Sequence, residues 1–401
     1  MNVIELKQKI NEGGFNTAFK TLYGDISKAK ARALMLADGF EARFGNGEDV
    51  SLFSAPGRTE LIGNHTDHNG GLAVGAAIDP DILAVAAPFE GGVEIYEGDG
   101  LIEGSFSHKT EKGTSLALAL GMARRMGGGF KAVIDSRIPQ GKGASSSAAF
   151  SLLCGKIADS FYGEGKASPM ELSLAAKLTE NEDYGKNCGL LDQISCAFGG
   201  TVRIDFHTPI PTVSSVPYNV GEYSLFLVDT GVSHANCGRY ASVAEDMVKA
   251  AEYFGKSRLG DVDTAVFAEK KERLRLKCGD GVYRRALHFF DENKRVDFFC
   301  RRAALGQIGV CLYAVNGSGI SSRCNLGNVH KEADEATEAL KDVAAAVRIH
   351  GGGFGGSLQC YVAKGKIKSF TDKMEALFGK GSVLPINIRE VGVCRIICEQ
   401  S

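Results

Sequence analysis

Residues 138–150 read Ile-Pro-Gln-Gly-Lys-Gly-Ala-Ser-Ser-Ser-Ala-Ala-Phe and hold the densest set of groups able to do chemistry. Alternating apolar residues over 130–138 predict a strand before this loop, and the small and apolar run 148–161 has helical spacing. A strand that feeds a glycine and serine loop into a helix presents unpaired backbone N–H groups, and the positive end of the helix dipole, to whatever lies in front. Gly141 and Gly143 let the chain pass close to a ligand, with Lys142 and Ala144 between and beside them. Ser145, Ser146 and Ser147 add hydroxyls that can cap the helix or bind phosphate oxygens and a metal. The chemistry suits an anion, a nucleotide phosphate first of all; an ordinary serine-capped helix start is the plain alternative.

Three further stretches carry reactive side chains. Between two apolar runs, residues 58–71 read Arg-Thr-Glu-Leu-Ile-Gly-Asn-His-Thr-Asp-His-Asn-Gly-Gly. His65 and His68 flank Asp67, but the chain contains no His-Glu-x-x-His, which argues against a metal. Arg58, His65 and Asp67 read better as a hydrogen-bonding surface for a polyhydroxylated or anionic small molecule. Glu180 and Asp192 bracket a polar segment, where Asp192 could equally cap a helix over 193–198 and Glu180 could be a solvated charge at a helix end. Finally, residues 351–356 satisfy Gly-x-Gly-x-x-Gly, yet 357–362 look like a strand, whereas a dinucleotide fingerprint needs a helix there. The first loop is not a Walker A sequence, since Gly143 follows Lys142, and no His-Arg-Asp or Asp-Phe-Gly of protein kinases is present.

The elements that must position these groups alternate between helix and strand. Residues 1–45 read as helices, 50–55 as a strand stopped by Pro56-Gly57, and 72–87 as buried strands interrupted at Asp79-Pro80-Asp81. A hairpin over 93–106 and helices over 113–126 and 169–181 follow, then a strand over 201–206. Three of the nine prolines lie between 209 and 217 and mark a domain boundary, dividing the chain into 1–215 and 216–401. The second part opens with a strand over 223–229, continues in helices near 241–255, 262–277 and 283–293, and then has a helix from about 301 that Asn316-Gly-Ser-Gly319 breaks. A helix over 332–346 and a strand over 357–363 precede the last helix and strand. Strands and helices mixed in both parts indicate an α/β or α+β fold.

Bulk properties agree with such a protein. A chain of 401 residues, 44% apolar and 23% charged, suggests two domains. A net charge of −2 gives no pull toward nucleic acid or acidic membranes, and no apolar run approaches the roughly 20 residues needed to span a bilayer. The charged, amphipathic first ten residues do not read as a signal peptide. Eleven scattered cysteines without Cys-x-x-Cys pairs fit reduced thiols in a cytoplasmic protein.

Together these motifs resemble the GHMP kinase superfamily, most closely its galactokinases. The family's sugar signature Gly-Arg-x-Asn-Leu-Ile-Gly-Glu-His-Thr-Asp-Tyr-Asn is similar to residues 57–69, its Pro-x-Gly-x-Gly-Leu-Ser-Ser-Ser-Ala loop to 139–148, its Glu-Asn…Cys-Gly-x-x-Asp-Gln to 180–193, and its C-terminal glycine motif to 351–356. The resemblance implies an N-terminal domain like the second domain of ribosomal protein S5, a ferredoxin-like C-terminal domain, and transfer of the ATP γ-phosphoryl group to the anomeric hydroxyl of galactose. It further implies roles. Residues 141–147, with Gly352, Gly353 and Gly355, would hold ATP; Ser147 and Glu180 would hold Mg²⁺; Asp192 would orient or deprotonate the attacking hydroxyl; and Arg58 would stabilise the transferred group. Asn64, His65, Asp67, Gly189 and Tyr240, with Arg58 and Asp192, would bind the sugar. A monomer with small-molecule partners only is expected.

The chain departs from the family pattern at Ala144, where the family has leucine, at His68, where it has tyrosine, after Tyr240, where the expected arginine pair is lacking, and in one pair of polar residues. Glu60 and Asn64 stand where galactokinases have Asn and then Glu, so the two residue types are interchanged. If 60–64 formed one helical turn, the two would share a face as a compensated pair. An amide at 64 suits galactose and would repel a sugar carboxylate less, which opens the alternative of a kinase for galacturonate or an amino sugar. A catalytically silent sugar sensor on the same fold is the third reading.

Overall fold

The computed structural model describes residues 1–47, 49–139, 141–232 and 237–399, and of residues 237–240 the backbone only. Helices α1 (Val3–Glu12), α2 (Asn16–Tyr23) and α3 (Ile26–Phe44) open the chain; Asn2 and Glu5 close a reciprocal capping box at the first. The strands and helices β1 (Ser51–Ile62), β2 (Leu72–Pro88), β3 (Gly92–Glu97), β4 (Gly100–Ser105), α4 (Ser115–Arg125), β5 (Phe130–Ser136) and α5 (Ser146–Tyr162) come next. They are followed by α6 (Pro169–Leu178), a wide helical turn Thr179–Tyr184, α7 (Leu191–Phe198), β6 (Thr201–Asp205) and β7 (Thr212–Ser215).

These strands form one sheet ordered β12-β1-β2-β5-β3-β4, where β12 is the C-terminal Cys394–Ile396, and β6 pairs with β2 while β7 pairs with β6. Period-two alternation sends Phe53, Ala55, Ala84, Ala86, Ala132 and Ile134 toward α4 and α5. Leu52, Leu83, Val85, Ala87 and Val133 face α1 to α3 and their Phe15, Phe19 and Phe40. The sheet is thus covered on both faces where its apolar residues run continuously.

The second part contains β8 (Tyr223–Asp229), α8 (Cys237–Tyr253), α9 (Thr264–Cys278), α10 (Asp280–Ala303), α11 (Ile308–Ser321), α12 (Lys331–Ala339), β9 (Ala344–Ile349), β10 (Ser357–Ala363), α13 (Ile367–Phe378) and β11 (Val383–Ile386). Its sheet is ordered β11-β8-β10-β9, antiparallel throughout. Strand, helices, two strands, helix, strand along the chain, with the strands in the spatial order just given, is the ferredoxin-like arrangement. One face carries Leu225 and Leu227 against Phe299, Leu312 and Val315, while the other carries Phe226 and Val228 against Ala333, Phe370 and Met374. Among the described residues, no helix is long and apolar enough to cross a membrane.

Several elements differ from the sequence reading, each for a physical reason. Strand β1 does not stop at Pro56-Gly57: the ladder with β2 shifts register between Pro56 and Arg58 and resumes. Residues 60–62 therefore lie in a strand and 60–64 is not a helical turn. Asp79-Pro80-Asp81 does not divide β2 either. Asp81, 1% exposed, takes Arg32 at 2.6 Å and Arg389 at 3.1 Å, so its charge is paired inside the fold, and Asp79 binds Asn387.

Helix α11 runs through Asn316-Gly-Ser-Gly319, because a Cβ at Gly319 would stand 2.8 Å from the Val347 carbonyl: the glycine permits close packing of helix on strand. The helix expected over 332–346 ends at Ala339, and β9 takes over from Ala344. Strands β7 and β8 belong to different sheets, and the chain returns at its end to pair β12 with β1.

Candidate active site

Four segments meet between the two sheets. The first is the loop leading into α5. Ser145 takes a left-handed conformation, φ 58°, and makes no side-chain cap; its hydroxyl instead donates to Oδ2 of Asp192. Ser145 therefore does not act as an ordinary serine cap, and the first N–H groups of α5 have no side-chain cap from it. Gly143, at φ 78°, also lies where a Cβ would come within 2.9 Å of His350, so both backbone shape and space call for glycine.

Arg58 on β1 and Asp192 in the first turn of α7 form the centre. Arg58 Nε donates to Asp192 Oδ1 at 2.7 Å, and Nη1 donates to the Gly143 carbonyl. Burial opposes ionisation of Asp192, but the Arg58 guanidinium, Lys186 and the Ser145 hydroxyl hold its pKa at about 2. Asp192 is accordingly a carboxylate at neutral pH, on a helix N-terminus that favours negative charge.

Glu180 lies in the wide turn, buried, with Oε1 accepting from Gln193 Nε2 at 3.0 Å. Its Oε2 is buried without a hydrogen bond, and the Lys186 ammonium stands 3.4 Å away. The Cys188 N–H donates to Asn181 Oδ1 at 3.0 Å, which folds the intervening loop back on the turn. The spacing of Glu180, Asn181, Cys188 and Gln193 is therefore that of a loop closed by its own side chains. Lys186 is the charged neighbour that the sequence reading missed; its ammonium is drawn in by two carboxylates, Glu180 and Asp192, each six positions away on either side.

The segment after β1 holds the polyol-binding candidates. Asp67 Oδ2 sits where a Cβ on residue 189 would be 1.9 Å from it, so Gly189 leaves the room that Asp67 occupies. Asp67 Oδ1 also accepts from His68 Nδ1 at 3.1 Å, a bond that helps keep its pKa low against burial. His65, 5% exposed, is pressed by burial and by His68 to a pKa of about 3; the ring is neutral and Nε2 donates to the Gly352 carbonyl at 2.9 Å.

Asn64 is placed in the same wall with both amide atoms on protein groups: Nδ2 on Glu60 Oε1 at 3.2 Å and the Gly351 carbonyl, Oδ1 on Asn328 at 2.8 Å. Glu60 and Asn64 do touch, across a strand end rather than along a helix. Burial raises the pKa of Glu60 although Arg348 bonds its carboxylate. Arg348, Asn328 and the buried Glu292, which accepts from Gly63 N–H at 3.0 Å, were not legible as partners. The side chain of Tyr240 lies outside the described residues.

The glycine loop 351–356 joins β9 to β10 in the second sheet. Ser357 Oγ donates to the Lys142 carbonyl at 2.8 Å, and Lys142 Nζ lies 3.4 Å from Asp229 on β8. The two glycine loops are thus latched to each other. Cations (Arg58, Lys142, Lys186), an uncapped helix start and the Asp192 carboxylate are gathered with the polar groups of residues 64–67.

The Galactokinase galactose-binding signature matches residues 38–88, and the GHMP kinases N terminal domain matches residues 114–200. A galactokinase of Actinobacillus pleuropneumoniae serotype 3 (strain JL03) is 29% identical over 359 residues, covering 82% of this chain and 89% of that protein. A Lactococcus lactis galactokinase crystallised with galactose superposes with a TM-score of 0.79 at 24% identity, over 89% of this chain and 98% of that one. The mevalonate kinase of L. major, crystallised with R-mevalonate, gives 0.61 at 13% identity, over 86% and 97%. The chain thus matches the galactose-binding signature of galactokinases and the N-terminal domain of GHMP kinases over parts of its length, and it shares the two-sheet fold of the solved galactokinase and mevalonate kinase.

Proposed function

We propose that this protein is a galactokinase, transferring the γ-phosphoryl group of ATP to the anomeric hydroxyl of galactose. The observation that carries the reading is the convergence on Asp192 of Arg58 from β1 and Ser145 from the phosphate loop, beside the contact of Asp67 with Gly189. The acceptor hydroxyl would lie between Asp192 and Asp67, with His65 and Tyr240 as further contacts, and ATP would lie along the amides of 141–147 under Gly352, Gly353 and Gly355.

A carboxylate with a pKa of about 2 is a weak base. Asp192 therefore orients the hydroxyl by accepting its hydrogen bond and takes the proton late, after bond formation to phosphorus has made that oxygen acidic; ADP leaves with the displaced oxygen. Arg58 neutralises charge on the moving phosphoryl group. Mg²⁺ fits the donors present, since Glu180 Oε2 is a buried oxygen without a hydrogen bond and Ser147 adds a hydroxyl in the first turn of α5. When bound, the ion would offset phosphate charge.

The alternative of a uronic sugar rested on an amide at 64 facing the substrate. With that amide on Gly351 and Asn328, galactose keeps precedence. We also place the domain division near residue 215, and the protein as a cytoplasmic monomer. An ADP-release assay over a panel of free sugars tests the activity: galactose turnover is expected, selective turnover of a different sugar would replace the substrate, and binding without ADP release would make it a sensor.

A further inference from the structure

The two halves of the cleft are tied together through one side chain. Asn64, 1% exposed, donates to the Gly351 carbonyl. Its Oδ1 accepts from Asn328 Nδ2 at 2.8 Å, and the same Nδ2 lies 3.1 Å from the Gly352 carbonyl. His65, the next residue, bonds that carbonyl at 2.9 Å. Behind this layer Arg348, on the strand that leads into the glycine loop, donates to the Glu60 carbonyl at 2.9 Å and to the Glu60 carboxylate. The carbonyls of Gly351 and Gly352 are thus held by side chains of the loop that carries Asp67, and by Asn328, which Asn64 itself positions.

The residue types matter. A carboxylate at 64 would have no N–H for the Gly351 carbonyl and would oppose the carboxylate of Glu60. With the acid at 60, its charge meets Arg348, and position 64 supplies the donor that the glycine loop requires. The interchange is a change of wiring between the two loops.

We propose that Asn64 is a positioning residue that couples the two substrates: sugar held by the 64–67 loop orders the 351–356 loop over the nucleotide, and nucleotide reciprocally tightens sugar. The inference rests on the sugar-kinase reading. A ligand that restrains His65 and Asp67 restrains Asn64 and, through it, two glycine carbonyls; the ordering that the nucleotide would otherwise have to impose is then already made.

Calorimetric titration of the full chain tests this, using AMP-PNP with magnesium in the absence and presence of saturating galactose, and galactose with and without AMP-PNP. In the wild type each ligand should tighten the other by one common factor, about 5- to 50-fold. Asn64→Asp keeps the acceptor for Asn328 but removes the donor, and the factor should fall to about 1, whatever the change in either affinity alone. Should that variant not fold, Asn328→Ala, which removes the tie to Gly352 from outside the sugar loop, must lower the factor. Independent binding of the two ligands by the wild type overturns the coupling and leaves the kinase reading intact. An Asn64→Asp protein that weakens both ligands but keeps the full factor also overturns it, because that is the signature of a purely structural role. Failure of the wild type to bind galactose at all, with AMP-PNP still bound, sinks the galactose reading itself and this inference with it.

Discussion

Arg58 Nε stands 2.7 Å from Asp192 Oδ1, joining β1 to the first turn of α7 across 134 positions of sequence. The pair sets both the charge and the direction of the carboxylate. Because the guanidinium holds Asp192 ionised, an acceptor hydroxyl in the proposed reaction would meet a fixed hydrogen-bond acceptor; because Ser145 takes the second oxygen, that acceptor is locked to the loop leading into α5.

Asp192→Asn keeps the shape and removes the charge. Turnover should fall by about 10²- to 10⁴-fold, while ATP affinity changes little. Single-turnover ADP release and nucleotide titration separate the two, and near-normal turnover would refute the role given to Asp192.

The acid response follows from groups held below their usual range. Glu292, fully buried, is opposed by its own desolvation yet kept at about 2 by Arg295, His288 and Arg348. A depressed carboxylate contributes stability that is complete above its unfolded value and disappears as pH falls through the folded one. Glu292→Gln should therefore lose about 3 kcal/mol at neutral pH, and the difference from wild type should shrink from about pH 4.5 downward. Urea unfolding at several pH values measures this; a gap that stays constant down to pH 3 contradicts the linkage.

Gly189→Ala places a methyl 1.9 Å from Asp67 Oδ2 and must push that side chain aside. The KM for galactose should rise by about 10- to 100-fold, with a smaller effect on kcat and an almost unchanged Tm. A variant with wild-type KM would show that Asp67 does not hold the sugar.

Arg348→Met leaves Glu60 buried without its cation. A loss of about 3–5 kcal/mol is expected, and Glu60→Gln combined with Arg348→Met should recover part of it. A double-mutant cycle on chemical denaturation gives the coupling; strict additivity would mean that the ion pair carries no weight.

Much of the site could be read directly from the chain because its motifs are local. The loop 139–148 and the glycine run 351–356 are short backbone shapes, and a few consecutive residues determine where glycine or a hydroxyl must stand. The closed loop between Glu180 and Gln193 is local in the same sense. Strand Ser51–Ile62 was misjudged at Pro56-Gly57, since a register shift with a partner strand depends on that partner. Asp81 was misjudged because its cations come from Arg32 and Arg389, at opposite ends of the chain.

The opposite holds for the Glu60–Asn64 pair. Its interchange is plain in the sequence, but what the amide does there depends on atoms that folding brings from Asn328, Arg348 and Gly351. Residue types and short spacings by themselves determined the chemistry on offer: open amides, a base, a guanidinium and a hard-cation donor. Tertiary structure alone decided which polar groups are buried together, hence that Asp192 is ionised, that His65 is neutral, and that Asn64 faces the glycine loop. The physical reason is that pairing and desolvation are properties of neighbours in space, and those neighbours lie far away in sequence.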